Sequence, residues 1–66
     1  MIRTEIHNGE ITIREWLAQH PNCETDGVVY EGYGDGTIPL EEVLDETDFD
    51  FTVHYDEETN SAEFDH

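Results

Sequence analysis

The chain opens on an alternation. Ile2, Thr4 and Ile6 interleave with Arg3, Glu5 and His7, the period-2 pattern of a half-buried strand. Asn8-Gly9 follows as a tight-turn dipeptide, and Glu10 and Ile11 read as a brief return strand. Thr12-Ile13-Arg14-Glu15 then has the form of a capping box, in which the Thr12 hydroxyl accepts from the Glu15 amide. Ile13, Trp16, Leu17 and His20 share one helical face, and Pro21 ends the helix, because the residue before a proline is pushed out of the α region. The first helix is therefore expected at about 13–19.

Pro21 to Gly27 is a polar loop. Val28 to Tyr33 is β-branched and aromatic and reads as a strand, with Gly34-Asp35-Gly36 as the turn after it. A second helix is expected next, capped by Thr37, with Pro39 in its first turn and Leu40, Val43 and Leu44 as its apolar face. Phe49, Phe51, Val53 and Tyr55 alternate with Asp50, Thr52, His54 and Asp56, the clearest strand signal in the chain. Asp56 to Ser61 turns, and Ala62 to Phe64 reads as a short closing strand. This order predicts a single α+β domain over 1–66. It comprises a small, mostly antiparallel sheet of three to four strands with two short helices on one face.

Charge changes the picture more than size does. There are 18 Asp and Glu against two Arg and no Lys, a formal net charge of −16. Both arginines lie in the first 14 positions, so everything after Arg14 lacks a Lys or Arg. Such a chain repels nucleic acid and anionic membrane and attracts basic protein surfaces. No apolar run approaches the roughly 20 residues that span a bilayer, and the N-terminus lacks a signal-peptide pattern. One cysteine, Cys23, allows no internal disulfide. These features lead us to expect a complete cytoplasmic chain, in the host cytoplasm if it is phage-encoded.

Candidate chemistry is weak by comparison. His20-Pro21-Asn22-Cys23 offers one pair of zinc ligands, but His54 and His66 form no second pair, and structural zinc wants four ligands. His20 is better read as a helix-ending residue. Asp45, Thr47, Asp48 and Asp50 cluster, yet neither Asp45 nor Asp48 starts a register with glycine at position six and glutamate at position twelve of a calcium loop. Gly32-Tyr33-Gly34-Asp35-Gly36 has no P-loop lysine and puts an acid where an anion would sit. With so many carboxylates, paired acids carry no catalytic information. Nearby acids would also raise the Cys23 pKa rather than activate the thiol. No catalytic, cofactor or metal site is expected.

The acids instead form a ridge. Glu41, Glu42, Asp45 and Glu46 make like-charge pairs four residues apart on the expected second helix, each unfavourable by about 0.2–0.5 kcal/mol. Asp48, Asp50 and Asp56 continue along the outer face of the last long strand, and Glu57 and Glu58 crown the following turn. These residues break local rules without visible compensation, which points to function or to an unusual solvent. We expect them to be the partner-binding residues. A 66-residue domain has a diameter of roughly 28 Å, and a duplex of that length carries about 16 charges.

In size and charge the chain resembles small acidic phage proteins that imitate DNA, including anti-CRISPR and anti-restriction inhibitors. That resemblance implies a DNA mimic that occupies the basic groove of a nucleic-acid-binding effector and inhibits it. The rival reading is a haloadapted cytoplasmic domain whose acidity suits its solvent.

Overall fold

The computed structural model describes residues 1–25, 27–32 and 36–66. Five strands form one mixed sheet: β1 (Ile2–Asn8), β2 (Val29–Glu31), β3 (Thr37–Pro39), β4 (Asp50–Asp56) and β5 (Ser61–Asp65). Their order across the sheet is β1-β4-β5-β2-β3. All neighbours are antiparallel except β2 and β5, which run parallel. One α-helix, α1 (Ile13–Ala18), and one 3-10 turn at Leu40–Glu42 complete the regular structure of the described residues.

This corrects the expected fold in two respects. The sheet has five strands and is mixed, because the C-terminal strand is central. β5 lies between β4 and β2 and pairs with both. A parallel partner that is distant in sequence leaves no local signal.

The second helix is absent. Thr37-Ile38-Pro39 is a strand, paired with Val29–Glu31, and Thr37 caps nothing. After Pro39 the chain makes a single 3-10 turn with no side-chain cap, then a turn through Asp45. The physical reason lies in the segment itself. A short helix must repay a costly nucleus, and here its acids repel at i,i+4 and oppose the dipole at its C-terminal end.

The first helix forms at 13–18 with the expected cap. The Glu15 amide donates to Thr12 Oγ1 at 2.9 Å. The expected return strand at Glu10 and Ile11 is a bend. Tyr33 at the end of the expected strand, the Gly34-Asp35 part of the turn and Asp26 of the polar loop lie outside the described residues.

The core sits between one face of the sheet and the α1 side. Ile13, Trp16, Tyr30, Phe51, Val53 and Phe64 are its fully buried large side chains. Trp16 meets Phe64 edge-on at 5.5 Å between centroids and Tyr55 at 5.8 Å, geometries that aromatic quadrupoles favour. Phe49, Phe51, Val53 and Tyr55 therefore do pack with Trp16, Leu17, Leu40, Val43 and Leu44 in one cluster. The backbone of α1 is tied to the turn region by Arg14 N–H donating to the Leu44 carbonyl at 2.9 Å.

β1 takes an unexpected facing. Its register with β4 places Arg3, Glu5 and His7 beside Tyr55, Val53 and Phe51, on the core side. Ile2 and Ile6 lie on the other face, 67% and 68% exposed. The inward polar residues make contacts there, although His7 Nε2 is buried without a hydrogen-bond partner. Arg3 lies over the Tyr55 ring at 5.8 Å, Glu5 accepts from the Trp16 indole, and His7 stacks on Phe51 at 4.9 Å. A period of two cannot tell one face from the other, so a one-residue choice of register decides which set is buried.

Candidate functional site

Among the described residues, no helix covers the second face of the sheet. Residues paired across a ladder project to the same side, so this face can be read from the registers. It carries Ile2, Thr4 and Ile6 from β1, and Asp50, Thr52, His54 and Asp56 from β4. From β5 it carries Ser61, Glu63 and Asp65, and from β2 Val29 and Glu31.

The nine acids of the expected ridge fall into two groups. Glu41, Glu42, Asp45, Glu46 and Asp48 lie on the exposed 3-10 turn and the loop after it, with Asp50 at the start of β4. Asp56, Glu57 and Glu58 lie at the far end of β4. Six strand steps separate Asp50 from Asp56, about 20 Å. The space between is filled by acids that the sequence reading did not single out. Glu63 and Asp65 project from β5 beside His54 and Thr52, and Glu31 sits next to Asp65 across the parallel pair. Glu63 and Asp65 alternate with Ala62 and Phe64, so a strand assignment reaching residue 65 would have found them. Glu31 needed the parallel pairing of β2 with β5, which only the tertiary structure supplies.

Part of the ridge has internal compensation. Arg14 Nε pairs with Asp45 Oδ1 at 2.6 Å, which holds the Asp45 carboxyl below its ordinary value and the guanidinium above its own. Arg3 Nη1 lies 3.3 Å from Glu57. The N-terminal ammonium lies 3.6 Å from Asp56 and 3.2 Å from Glu58. Asp56 is lowered chiefly because it accepts from the Glu58 amide at 3.0 Å. Among the described residues, Glu41, Glu42, Glu46, Asp48 and Asp50 have no such cation. Directly opposed like charges such as Glu31 and Asp65 are unfavourable in a sheet.

His54 relieves some of that repulsion. Its Nε2 lies 2.7 Å from Asp65 Oδ2 and its Nδ1 lies 3.0 Å from Thr4 Oγ1. One neutral tautomer satisfies both contacts, donating to the carboxylate and accepting from the hydroxyl. A hydroxyl, an imidazole and a carboxylate in a row bring a nucleophile triad to mind. Here the row lies across three strands of an open sheet face, with Thr4 exposed on the edge strand. The row works as a cross-strand tether.

Of the remaining candidate ligands, His20 is engaged within the fold. His20 Nδ1 lies 3.0 Å from the Trp16 carbonyl, and its ring stacks on the indole at 4.0 Å. Burial, and then the neighbouring Glu24, raise the Cys23 thiol above its ordinary pKa. Among the described residues, no three His, Cys, Asp or Glu side chains converge on a point that would hold a metal ion. No helix among them is long and apolar enough to cross a membrane.

The face can therefore present a field of carboxylates between two acidic turns, interrupted by exposed Ile2, Ile6 and Val29. No family model, no curated protein and no solved structure matches this chain.

Proposed function

We propose that the protein binds, and thereby blocks, a basic protein surface that ordinarily holds nucleic acid. The observation that carries this reading is the uncovered sheet face, where Asp50, Glu63, Asp65 and Glu31 connect the acidic turn around Glu41–Asp48 to the one at Asp56–Glu58. Alternate residues on a strand stand about 6.6 Å apart, so carboxylates repeat along and across the face at regular intervals. The longest dimension is 31 Å, over which a duplex carries about 18 charges. In this reading, carboxylates take the places of phosphates, and arginines of the partner grip them bidentately. Exposed ion pairs each contribute only about 0–1 kcal/mol. Apolar contact is needed as well. Of the described tyrosines, Tyr30 is buried and Tyr55 packs in the core cluster, so neither supplies it. Among the described residues, exposed Val29 and the β1 isoleucines are large apolar groups on this face.

A second reading, haloadaptation, is favoured by one observation. Glu10, on the bend after β1, and Glu15, on α1, are exposed away from the strands of this face, so acids lie beyond it as well. The test uses the protein immobilised at low salt and challenged with purified basic nucleic-acid-binding proteins. Binding should be displaced by duplex DNA, fall as salt rises, and be lost when Asp50, Glu63 and Asp65 are changed to Lys together. A partner held equally by that variant, or at any salt, would rule the mimic out.

A further inference from the structure

We propose that two copies of this chain join through β1, edge to edge, into one continuous sheet. This goes beyond the reading above and rests on the backbone edge of β1 rather than on the carboxylates of the face. β1 is a seven-residue edge strand with no proline, no lysine and an unbroken register; of the devices that usually blunt an edge it carries inward-pointing charge, Arg3 and Glu5. The opposite edge, β3, is three residues long and ends in Pro39.

The free groups of β1 can be assigned. Glu57 N–H donates to the Met1 carbonyl at 3.2 Å. Hydrogen-bonded and non-bonded pairs alternate along an antiparallel ladder, so Arg3, Glu5 and His7 also bond to β4. The amides and carbonyls of Ile2, Thr4 and Ile6 then point away from the sheet.

These residues are self-complementary about Thr4. An antiparallel second copy centred there sets Ile2 opposite Ile6, Thr4 opposite Thr4, and Ile6 opposite Ile2 of the other copy. Each bonded pair exchanges two hydrogen bonds, giving about six between the chains. On the core side, the same register sets Arg3 against Glu5 twice. These are non-bonded pairs, in which side chains approach most closely. A slip by two residues in one direction puts Arg3 on Arg3, and in the other Glu5 on Glu5. Charge thus selects one register. Ile2 and Ile6, otherwise exposed, acquire each other as cross-strand partners. β1 has one acid in seven residues, which makes it a favourable place for two chains of charge −16 to meet.

Sedimentation equilibrium tests this at moderate salt. The wild type should reach twice the chain mass as concentration rises, and association should strengthen with added salt, because screening relieves the repulsion between copies. That sign is opposite to the one expected for a basic partner. Thr4→Pro removes an outward amide and the Thr4–His54 contact but no backbone bond to β4, and should be monomeric with its thermal transition retained. Arg3→Glu keeps the Trp16–Glu5 bond and should weaken the dimer by about tenfold or more. Mixing Arg3→Glu with Glu5→Arg should restore association, since each chain then opposes only the other's charge. A wild type that stays monomeric at every concentration, or Thr4→Pro or Arg3→Glu chains that dimerise as tightly as wild type, would overturn the proposal.

Discussion

The indole N–H of Trp16 donates to Glu5 Oε2 at 2.6 Å, joining α1 to the edge strand β1. Trp16 is 1% exposed, so this carboxylate is the acceptor that its buried N–H requires. The contact explains why β1 turns its polar set inward. Glu5→Ala leaves a buried donor unpaired and should cost about 1–3 kcal/mol, while Glu5→Gln, which keeps an acceptor, should cost less. Urea unfolding followed by tryptophan fluorescence measures both. Equal stability of Glu5→Ala and wild type would show that the bond is not formed.

The inverted facing of β1 gives a second prediction. Phe51→Ala removes a fully buried ring and should destabilise by about 3–5 kcal/mol, enough to unfold a domain this small. Ile6→Thr, on the open face, should stay within about 0.5 kcal/mol at concentrations where the chain is monomeric. A large loss at Ile6 would mean that the isoleucines of β1 are buried.

Two glycines separate steric cost from conformational cost. Gly9 and Gly27 both have positive φ, +70° and +78°. A Cβ at Gly9 would lie 2.8 Å from the Thr47 carbonyl oxygen, whereas nothing lies within 4 Å of one at Gly27. Both alanine variants should lose about 1 kcal/mol to the left-handed backbone, and Gly9→Ala should lose clearly more. Thermal melts of the two side by side decide this, and a more stable Gly9→Ala would contradict the turn geometry.

Acid should weaken the fold through two carboxylates. Asp45 is lowered by its hydrogen bond from Arg14, and Asp56 by its bond from the Glu58 amide. A group whose folded pKa lies below its unfolded one adds stability above the unfolded value and loses it as pH falls through the folded value. Both contributions are therefore present at neutral pH and disappear below about pH 4. Both groups are on the surface, so the effect is small and is best read by following each carboxyl by NMR. Arg14→Ala should return Asp45 toward its ordinary value and leave Asp56 unmoved.

Folding in dilute buffer separates the two functional readings. A mimic should show a cooperative thermal transition without added salt, rising modestly with salt as self-repulsion is screened. A transition that appears only in molar salt would favour haloadaptation.

Local pattern alone determined α1 with its Thr12 cap, the core face of β4 and the acidity of the whole chain, because caps, period-2 alternation and composition are properties of neighbouring residues. The expected second helix failed where local rules conflicted. Thr37-Ile38-Pro39 suits a helix start and an edge strand alike, and pairing with β2 decided for the strand. Which face of β1 is buried was decided by Trp16, eleven residues from Glu5, which needed an acceptor. The central place of β5 was decided by its parallel pairing with β2, and with it the gathering of Glu31, Glu63 and Asp65 on one face. Such pairings bring together residues far apart in the chain, and the free energy that selects them comes from burying the aromatic core, which no single segment contains.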